Sequence, residues 1–244
     1  MTRRRWIADQ VSGNHAALIG EHARHLAQVL RAHIGQEFEI STGTDVRLGR
    51  ISNIQPDRIE FDLENSVGRA NDLPISVVLS IFKFDRMEWA IEKCVELGVA
   101  RIIPLNAART GVHLWSAAPK RVERWQRIAK QASEQSRRSS VPQISSPLEL
   151  NQLLAETQGT RVVFSEVEEQ MTVTEAIPKQ VDAVTFAFGP EGGWKEDELA
   201  RFKAAGWASA SLGPTILRTE TAVIAAVAVC HAIFETYRRD QEPG

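Results

Sequence analysis

Two glycine-proline loops in the C-terminal quarter constrain this chain more than any other feature. The first, Gly189-Pro190-Glu191-Gly192-Gly193, follows the apolar run 183–188 and its last residue Phe188. The second, Gly213-Pro214, follows 208–212 and passes through Thr215, Ile216, Leu217 and Arg218 into an Ala-rich, almost wholly apolar helix. Glycine permits φ > 0 and a close approach of backbone to a ligand. Proline stiffens the turn and removes one donor. Open α/β sheets bind ligands at the carboxyl ends of their strands. Two such loops, each leaving a strand and opening a helix, therefore predict a pocket walled largely by main chain. The G-x-G-x-x-G spacing of dinucleotide sites and the P-loop pattern are both absent, which disfavours a generic nucleotide-binding protein.

The rest of the chain supplies a frame for those loops. From residue 75 onward, strand patterns at 76–82, 101–105, 161–164, 183–188 and 208–212 alternate with helical patterns at 85–97, 119–137, 147–157, 196–205 and 219–238. That alternation predicts an α/β domain with a parallel sheet covered by helices. Asp85 is a candidate N-cap, Gly98 and Gly206 are candidate stops, and Glu196, Asp197 and Glu198 crowd a first turn where the helix dipole favours acid. The N-terminal part is different: short strands at 37–40, 46–54 and 58–63, punctuated by turns, with one helical segment at 21–31. A small β-barrel is expected there. The linker-like composition of 68–74 sets a boundary, giving domains 1–72 and 73–244.

Charge and cysteine usage exclude several classes. The net charge of −2 means that any RNA-binding surface must be local. Cys94 and Cys230 each stand alone in a helical pattern, with no C-x-x-C pair and no metal spacing, so buried reduced thiols and no metal are expected. The six histidines form no catalytic or ligating arrangement. The N-terminus Met-Thr-Arg-Arg-Arg-Trp lacks an apolar signal region, and the apolar run 222–234 is shorter than the roughly 20 residues a bilayer requires. A cytoplasmic protein is expected, with no membrane. Arg121, Arg124, Arg127 and Lys130 recur every three residues on one helix and read as a solvated face. Arg137-Arg138 in the polar loop beyond it offers phosphate contacts. Arg218, beside an apolar helix, needs an anionic partner: Glu191, Glu220 or a substrate oxygen. Thr219-Glu220-Thr221 can cap that helix.

Four segments together resemble one family. They are His25-Leu26 with Val29-Leu30-Arg31 and Gly35; Lys83-x-Asp85-Arg86-Met87-Glu88-Trp89 through Gly98-Val99; Glu134-Gln135-Ser136 with Arg138-Ser139 and Val141-Pro142; and the two glycine-proline loops. In this order the chain resembles the SPOUT enzymes that methylate N3 of a uridine in 16S ribosomal RNA. The resemblance implies an N-terminal PUA-like β-barrel for RNA binding and a C-terminal SPOUT domain with a trefoil knot. It also implies S-adenosyl-L-methionine as cofactor, the small ribosomal subunit as partner, and a homodimer joined through the C-terminal helix. Carried over by position, Phe188, Gly189, Pro190, Glu191, Gly192 and Gly193 line one side of the cofactor, and Leu212, Gly213, Ile216, Leu217 and Arg218 the other. Glu191 or Glu220 would take the N3 proton, Arg218 would stabilise charge on a carbonyl oxygen, and Arg138 with Arg218 would hold substrate oxygens or phosphates. Two positions depart from the family pattern, Arg137 where it has Gly and Thr215 where it has Arg. The alternatives are another SPOUT activity such as ribose 2′-O-methylation, or a non-catalytic RNA-binding assembly protein.

Overall fold

The computed structural model describes residues 5–69, 73–157, 159–178 and 183–241. Contacts between Cα atoms divide the chain into two compact units, one of 1–72 with 133–141 and the other of 73–132 with 142–244. The sequence expectation put 133–141 in the second domain; its contacts lie with the first.

The first unit is a six-stranded sheet in the order β1-β4-β5-β6-β3-β2. Its elements are β1 (Arg5–Ile7), β2 (Gln10–Ser12), β3 (His15–Ile19), α1 (Glu21–Arg24), β4 (Glu37–Ser41), β5 (Asp45–Gln55) and β6 (Arg58–Arg69). All neighbours are antiparallel except β1 and β4. The two edge strands β1 and β2 are separated in sequence by only Ala8 and Asp9. Ala8 N–H bonds the Ser41 carbonyl at the end of β4, and Asp9 N–H bonds the Ala17 carbonyl of β3. Two residues thus link both edges, so the sheet has to curl. Register shifts within the long β5–β6 pair supply the bending. Leu18, Ile40, Ile51, Ile59 and Phe61 fill the inside with Trp6 and Leu26. The helical segment at 21–31 begins as α1 but continues over His25–Val29 in π register. The periodicity shows β4, β5 and β6 but not β1, β2 or β3: β1 and β2 have three residues each, and β3 reads His-Ala-Ala-Leu-Ile with its three central residues all buried, so it does not alternate.

The second unit is a seven-stranded sheet, every pair parallel. In chain order its elements are β7 (Leu73–Ser80), α2 (Phe84–Glu96), β8 (Val99–Asn106), α3 (Val112–Ala117), α4 (Val122–Gln135), β9 (Gln143–Ile144), β10 (Leu148–Glu149), α5 (Leu150–Glu156), β11 (Thr160–Phe164), α6 (Val173–Ala176), β12 (Val184–Phe188), α7 (Glu196–Ala204), β13 (Ala208–Ala210) and α8 (Thr219–Gln241). The strands run β10-β8-β7-β12-β11-β13, with β9 paired to β8. Every residue of β12 is buried, as expected for a parallel strand covered on both faces. One aromatic cluster packs Trp194 on Phe202 at 5.0 Å and Phe202 on Trp207 at 4.9 Å, holding α7 to the sheet.

Several local expectations are revised. Helix α2 starts one residue before Asp85, with Lys83 at the N-cap, so Asp85 serves the first turn instead. Gly98 and Gly206 do end α2 and α7, at φ +85 and +78. Arg124 and Arg127 of the basic stripe are exposed, as expected of a solvated face, but they are paired: Arg124 grips Glu88 through two bonds of 2.7 and 2.8 Å, Arg127 pairs with Glu123 at 3.7 Å, and Arg121, just before α4, reaches Glu88 at 3.5 Å. Cys94 and Cys230 are buried, and burial pushes both thiols up to about 12. Among the described residues no helix is long and apolar enough to cross a membrane.

The tightest test of the first unit is Gly49. A Cβ there would collide with Cγ1 of Ile40, a side chain with no exposed surface. Gly49→Ala is expected to cost about 1–3 kcal/mol of stability through overpacking. Denaturant unfolding checks this; an unshifted midpoint would show that the sheet closes less tightly.

Candidate functional site

The site begins with strand register. Phe164 at the end of β11 pairs with Phe188 at the end of β12 and with Ala210 at the end of β13. Three adjacent parallel strands therefore stop at one level. Ser165, Gly189 and Ser211 leave the sheet side by side, and their three loops enclose a cavity of about 370 Å³. The Phe164 and Phe188 rings line it as a stacked pair, centroids 4.9 Å apart and planes 10° from parallel.

The first loop is shaped by backbone economy. A turn closes with the Gly193 N–H on the Pro190 carbonyl at 2.8 Å, and Gly193 sits at φ +70. A Cβ on Gly193 would collide with the Glu166 carboxylate. A Cβ on Gly189 would press the Trp194 ring at 3.2 Å, and that indole is fixed by its 3.0 Å bond to the Phe164 carbonyl. Arg109 holds the Gly192 carbonyl from outside. In the second loop Gly213 takes φ +118, and its N–H donates to the Ser211 hydroxyl at 3.2 Å. The two loops are joined by α8: the Thr219 hydroxyl donates to the Gly189 carbonyl at 3.0 Å. Thr219 thus ties loop to loop, a role beyond the helix cap expected of it.

Charged groups are distributed unevenly around this cavity. Arg86, from the first turn of α2, lies 3.5 Å from Glu191 and 3.9 Å from Glu220. It takes both carboxylates that the sequence offers to Arg218. Glu220 is 7% exposed, and its Oε2 has no hydrogen-bond partner among the described residues. Arg218 is exposed at the cavity rim, and its guanidinium makes no bond to any described residue. Glu166 lines the cavity from the end of β11.

Ten of the eleven expected pocket residues line this cavity: Phe188, Gly189, Pro190, Glu191, Gly193, Leu212, Gly213, Ile216, Leu217 and Arg218. Gly192 does not, because it faces Arg109. Glu220 stands behind Arg86 and is not a lining residue. Arg138 is 8% exposed and belongs to the first unit with 133–141, so it is not among the groups that form this cavity. Sequence reasoning misses Arg86, Phe164, Glu166 and Thr219 as cavity residues. Arg86 and Thr219 lie inside quoted segments, but only the fold shows that they point at the loops. Phe164 and Glu166 carry no local signal; strand register alone brings them in.

A parallel α/β unit with three flush strand ends, two of them opening into glycine loops, accompanied by a curled β-sheet unit, defines a class that comparison makes explicit. The RNA methyltransferase domain model matches residues 69–231, and the RNA methyltransferase PUA domain model matches 18–64. The chain is 32% identical to ribosomal RNA small subunit methyltransferase E of Bacillus subtilis, over 92% of this chain and 93% of the relative. It is also 32% identical to the enzyme of that name from Mycobacterium tuberculosis, over 88% and 86%. The structure superposes on ribosomal RNA small subunit methyltransferase E from Neisseria gonorrhoeae bound to S-adenosyl methionine, with a TM-score of 0.83, 30% identity and coverage of 95% and 98%. A putative methyltransferase from Legionella pneumophila, in complex with the same cofactor, gives a TM-score of 0.82 at 27% identity, with coverage of 95% and 98%. The chain belongs to the ribosomal RNA small subunit methyltransferase E family.

The tie between the loops is testable by itself. Thr219→Val keeps the shape, removes the donor and leaves the Gly189 carbonyl unpaired, which is expected to cost about 1 kcal/mol. Equilibrium unfolding measures it; no loss of stability would mean that the loops hold their spacing without the hydroxyl.

Proposed function

We propose that this chain transfers a methyl group from S-adenosylmethionine to N3 of one uridine in the 16S RNA of the small ribosomal subunit. The observation that carries the reading is the cavity, walled by main chain from three flush strand ends, in a chain related along its length to enzymes of that name. Its chemistry suits the cofactor. The volume, about 370 Å³, lies within the ordinary range for small-molecule sites. The absence of a phosphate cradle fits a nucleoside that carries no phosphate. The stacked Phe164–Phe188 pair offers an apolar wall, the loop amides and carbonyls offer polar contacts for a base edge, and Glu166 offers an anion to a cationic group.

When bound, the cofactor supplies an electrophilic methyl on sulfur. The protein must deal with the acceptor. Uracil N3 carries a proton at neutral pH and becomes nucleophilic only when that proton leaves. Glu191 lines the cavity and is the proton acceptor we favour; Glu220, behind Arg86, is the weaker candidate. Arg86 positions Glu191 through their 3.5 Å pair. Arg218, exposed at the rim and unpaired among the described residues, stabilises the negative charge that develops on a uracil carbonyl oxygen. Positioning of two partners in one cavity supplies the remaining rate enhancement, with the target base drawn out of its stack. The first unit, 1–72 with 133–141, acts as the RNA-binding domain, and the second, 73–132 with 142–244, as the catalytic domain.

Family likeness extends the proposal to a trefoil knot in the catalytic domain and to a homodimer through α8. Ile224, Val229 and Ile233 on that helix are only partly buried in the single chain, which suits a partner helix.

The decisive assay is transfer of labelled methyl from S-adenosylmethionine to small ribosomal subunits that lack the modification, with the product mapped by reverse-transcription arrest and mass spectrometry. A single N3-methyluridine is expected. Arg218→Ala should leave cofactor affinity within about twofold and cut turnover by at least a hundredfold. A ribose methyl as product would overturn the chemistry, and full turnover in the variant would overturn the role of Arg218.

A further inference from the structure

Two residues other than glycine have positive φ among the described residues, Arg31 at +51 and Arg137 at +58. Both are arginines, both are exposed, and both belong to the first unit. The coincidence has a common structural form. Each follows a helix end at the position where a left-handed residue closes the last turn, a place normally filled by glycine or asparagine. At Arg137 the closing bonds run from Arg138 N–H to the Ser133 carbonyl at 2.8 Å and from Arg137 N–H to the Glu134 carbonyl at 3.3 Å. At Arg31 the π register of the preceding turn lengthens the same closure by one residue, and Ala32 N–H bonds the Leu26 carbonyl at 3.1 Å.

The second unit provides an internal comparison. Helix α7 closes with the same pair of bonds, Trp207 N–H to the Phe202 carbonyl and Gly206 N–H to the Lys203 carbonyl, around Gly206 at φ +78. Helix α2 ends at Gly98, φ +85. So the fold uses glycine for this job where only the backbone matters. An L-residue there is strained by contact of its Cβ with the following carbonyl. Strain of this kind persists where the side chain has something to do.

Nothing within the first unit explains what those side chains do. Arg5 pairs with Glu39, Arg24 with Asp57, Arg50 with Glu37 and Glu64, and Arg58 with Glu60, while Arg47 bonds the Glu64 carbonyl and Asn14. Arg138 also has a partner. Arg31 and Arg137 have none among the described residues; Arg3, Arg4 and the side chain of Arg69 lie outside them. At 137 even the backbone is fixed from elsewhere, since the Arg5 guanidinium donates to the Arg137 carbonyl at 2.6 Å. Among the described side chains of the first unit, the left-handed arginines and the unpaired arginines are the same two residues.

We infer that Arg31 and Arg137 are phosphate contacts for the RNA substrate, each held outward by a helix-closing turn that glycine would form with less strain. The inference rests on the proposed RNA methyltransferase function. It shifts the contact expected of Arg138 to its neighbour, because Arg138 is buried and partnered whereas Arg137 is neither. A guanidinium at a helix C-terminus also meets the negative end of the dipole. That interaction is available from the last helical turn without a left-handed backbone, so it does not account for the position.

The experiment compares wild type with Arg31→Gly, Arg137→Gly, the double variant and Arg24→Gln, which removes the same charge from a paired arginine. Binding to in-vitro transcribed small-subunit ribosomal RNA is measured across a salt series, together with melting temperature and S-adenosylmethionine affinity. Each glycine variant is expected to flatten the plot of log K against log salt by roughly 0.7–0.9, additively in the double variant. Melting temperature should not fall, cofactor affinity should not change, and Arg24→Gln should keep the wild-type slope. A lower melting temperature with an unchanged slope would overturn the inference in favour of helix stabilisation. Equal loss of slope in Arg24→Gln would reduce it to general electrostatics. If wild type shows no salt-dependent binding to this RNA, the functional reading itself fails and the inference goes with it.

Discussion

The level ending of β11, β12 and β13 is the constraint on which the rest of the site depends. Phe164, Phe188 and Ala210 are in register, so three segments distant in sequence leave the sheet together. Parallel pairing sets this level, and parallel strands require crossover connections. Each crossover returns the chain to the same edge of the sheet. The cavity is therefore a product of sheet topology first and of loop composition second. The bond from Thr219 to Gly189 then adds α8 to the same assembly, so the helix that follows the second loop also sets the position of the first.

Glycine and arginine have complementary uses in this molecule. Around the cavity, Gly189 makes room for Trp194, Gly193 makes room for Glu166, and Gly213 takes a backbone conformation that other residues avoid. The arginines mostly serve the protein: Arg124 grips Glu88, Arg86 spans Glu191 and Glu220, and the sheet arginines of the first unit hold nearby carboxylates. Exposed pairs of this kind add little to stability one by one. Their effect is to orient side chains and to use up positive charge, leaving few guanidiniums among the described residues for an anionic ligand. A net charge of −2 is compatible with RNA binding where positive charge is placed locally.

Much of the catalytic unit is legible in the sequence. The run 184–188 is apolar at every position but Thr185 because β12 is covered on both faces, and that pattern survives without neighbours to explain it. Ten of eleven pocket residues follow from loop composition and the family resemblance. What stays hidden depends on contacts between distant segments. Glu166 has no motif and enters the cavity only because β11 lies between β12 and β13. Arg86 looks like the first turn of an amphipathic helix until the fold brings Glu191 and Glu220 to it. The polar loop offers both Arg137 and Arg138, but adjacent arginines in this closing turn differ in burial, and sequence does not say which is outside. In the first unit, β1 and β2 are too short for their period to show.

The central claim is that the two glycine-proline loops, tied at Thr219, form one cofactor pocket. Hydrogen–deuterium exchange with and without saturating S-adenosylmethionine tests it most directly. The account predicts slower exchange in both 189–193 and 211–219, with β1 to β6 unchanged. Protection of one loop without the other, or of neither despite measurable binding, would contradict it.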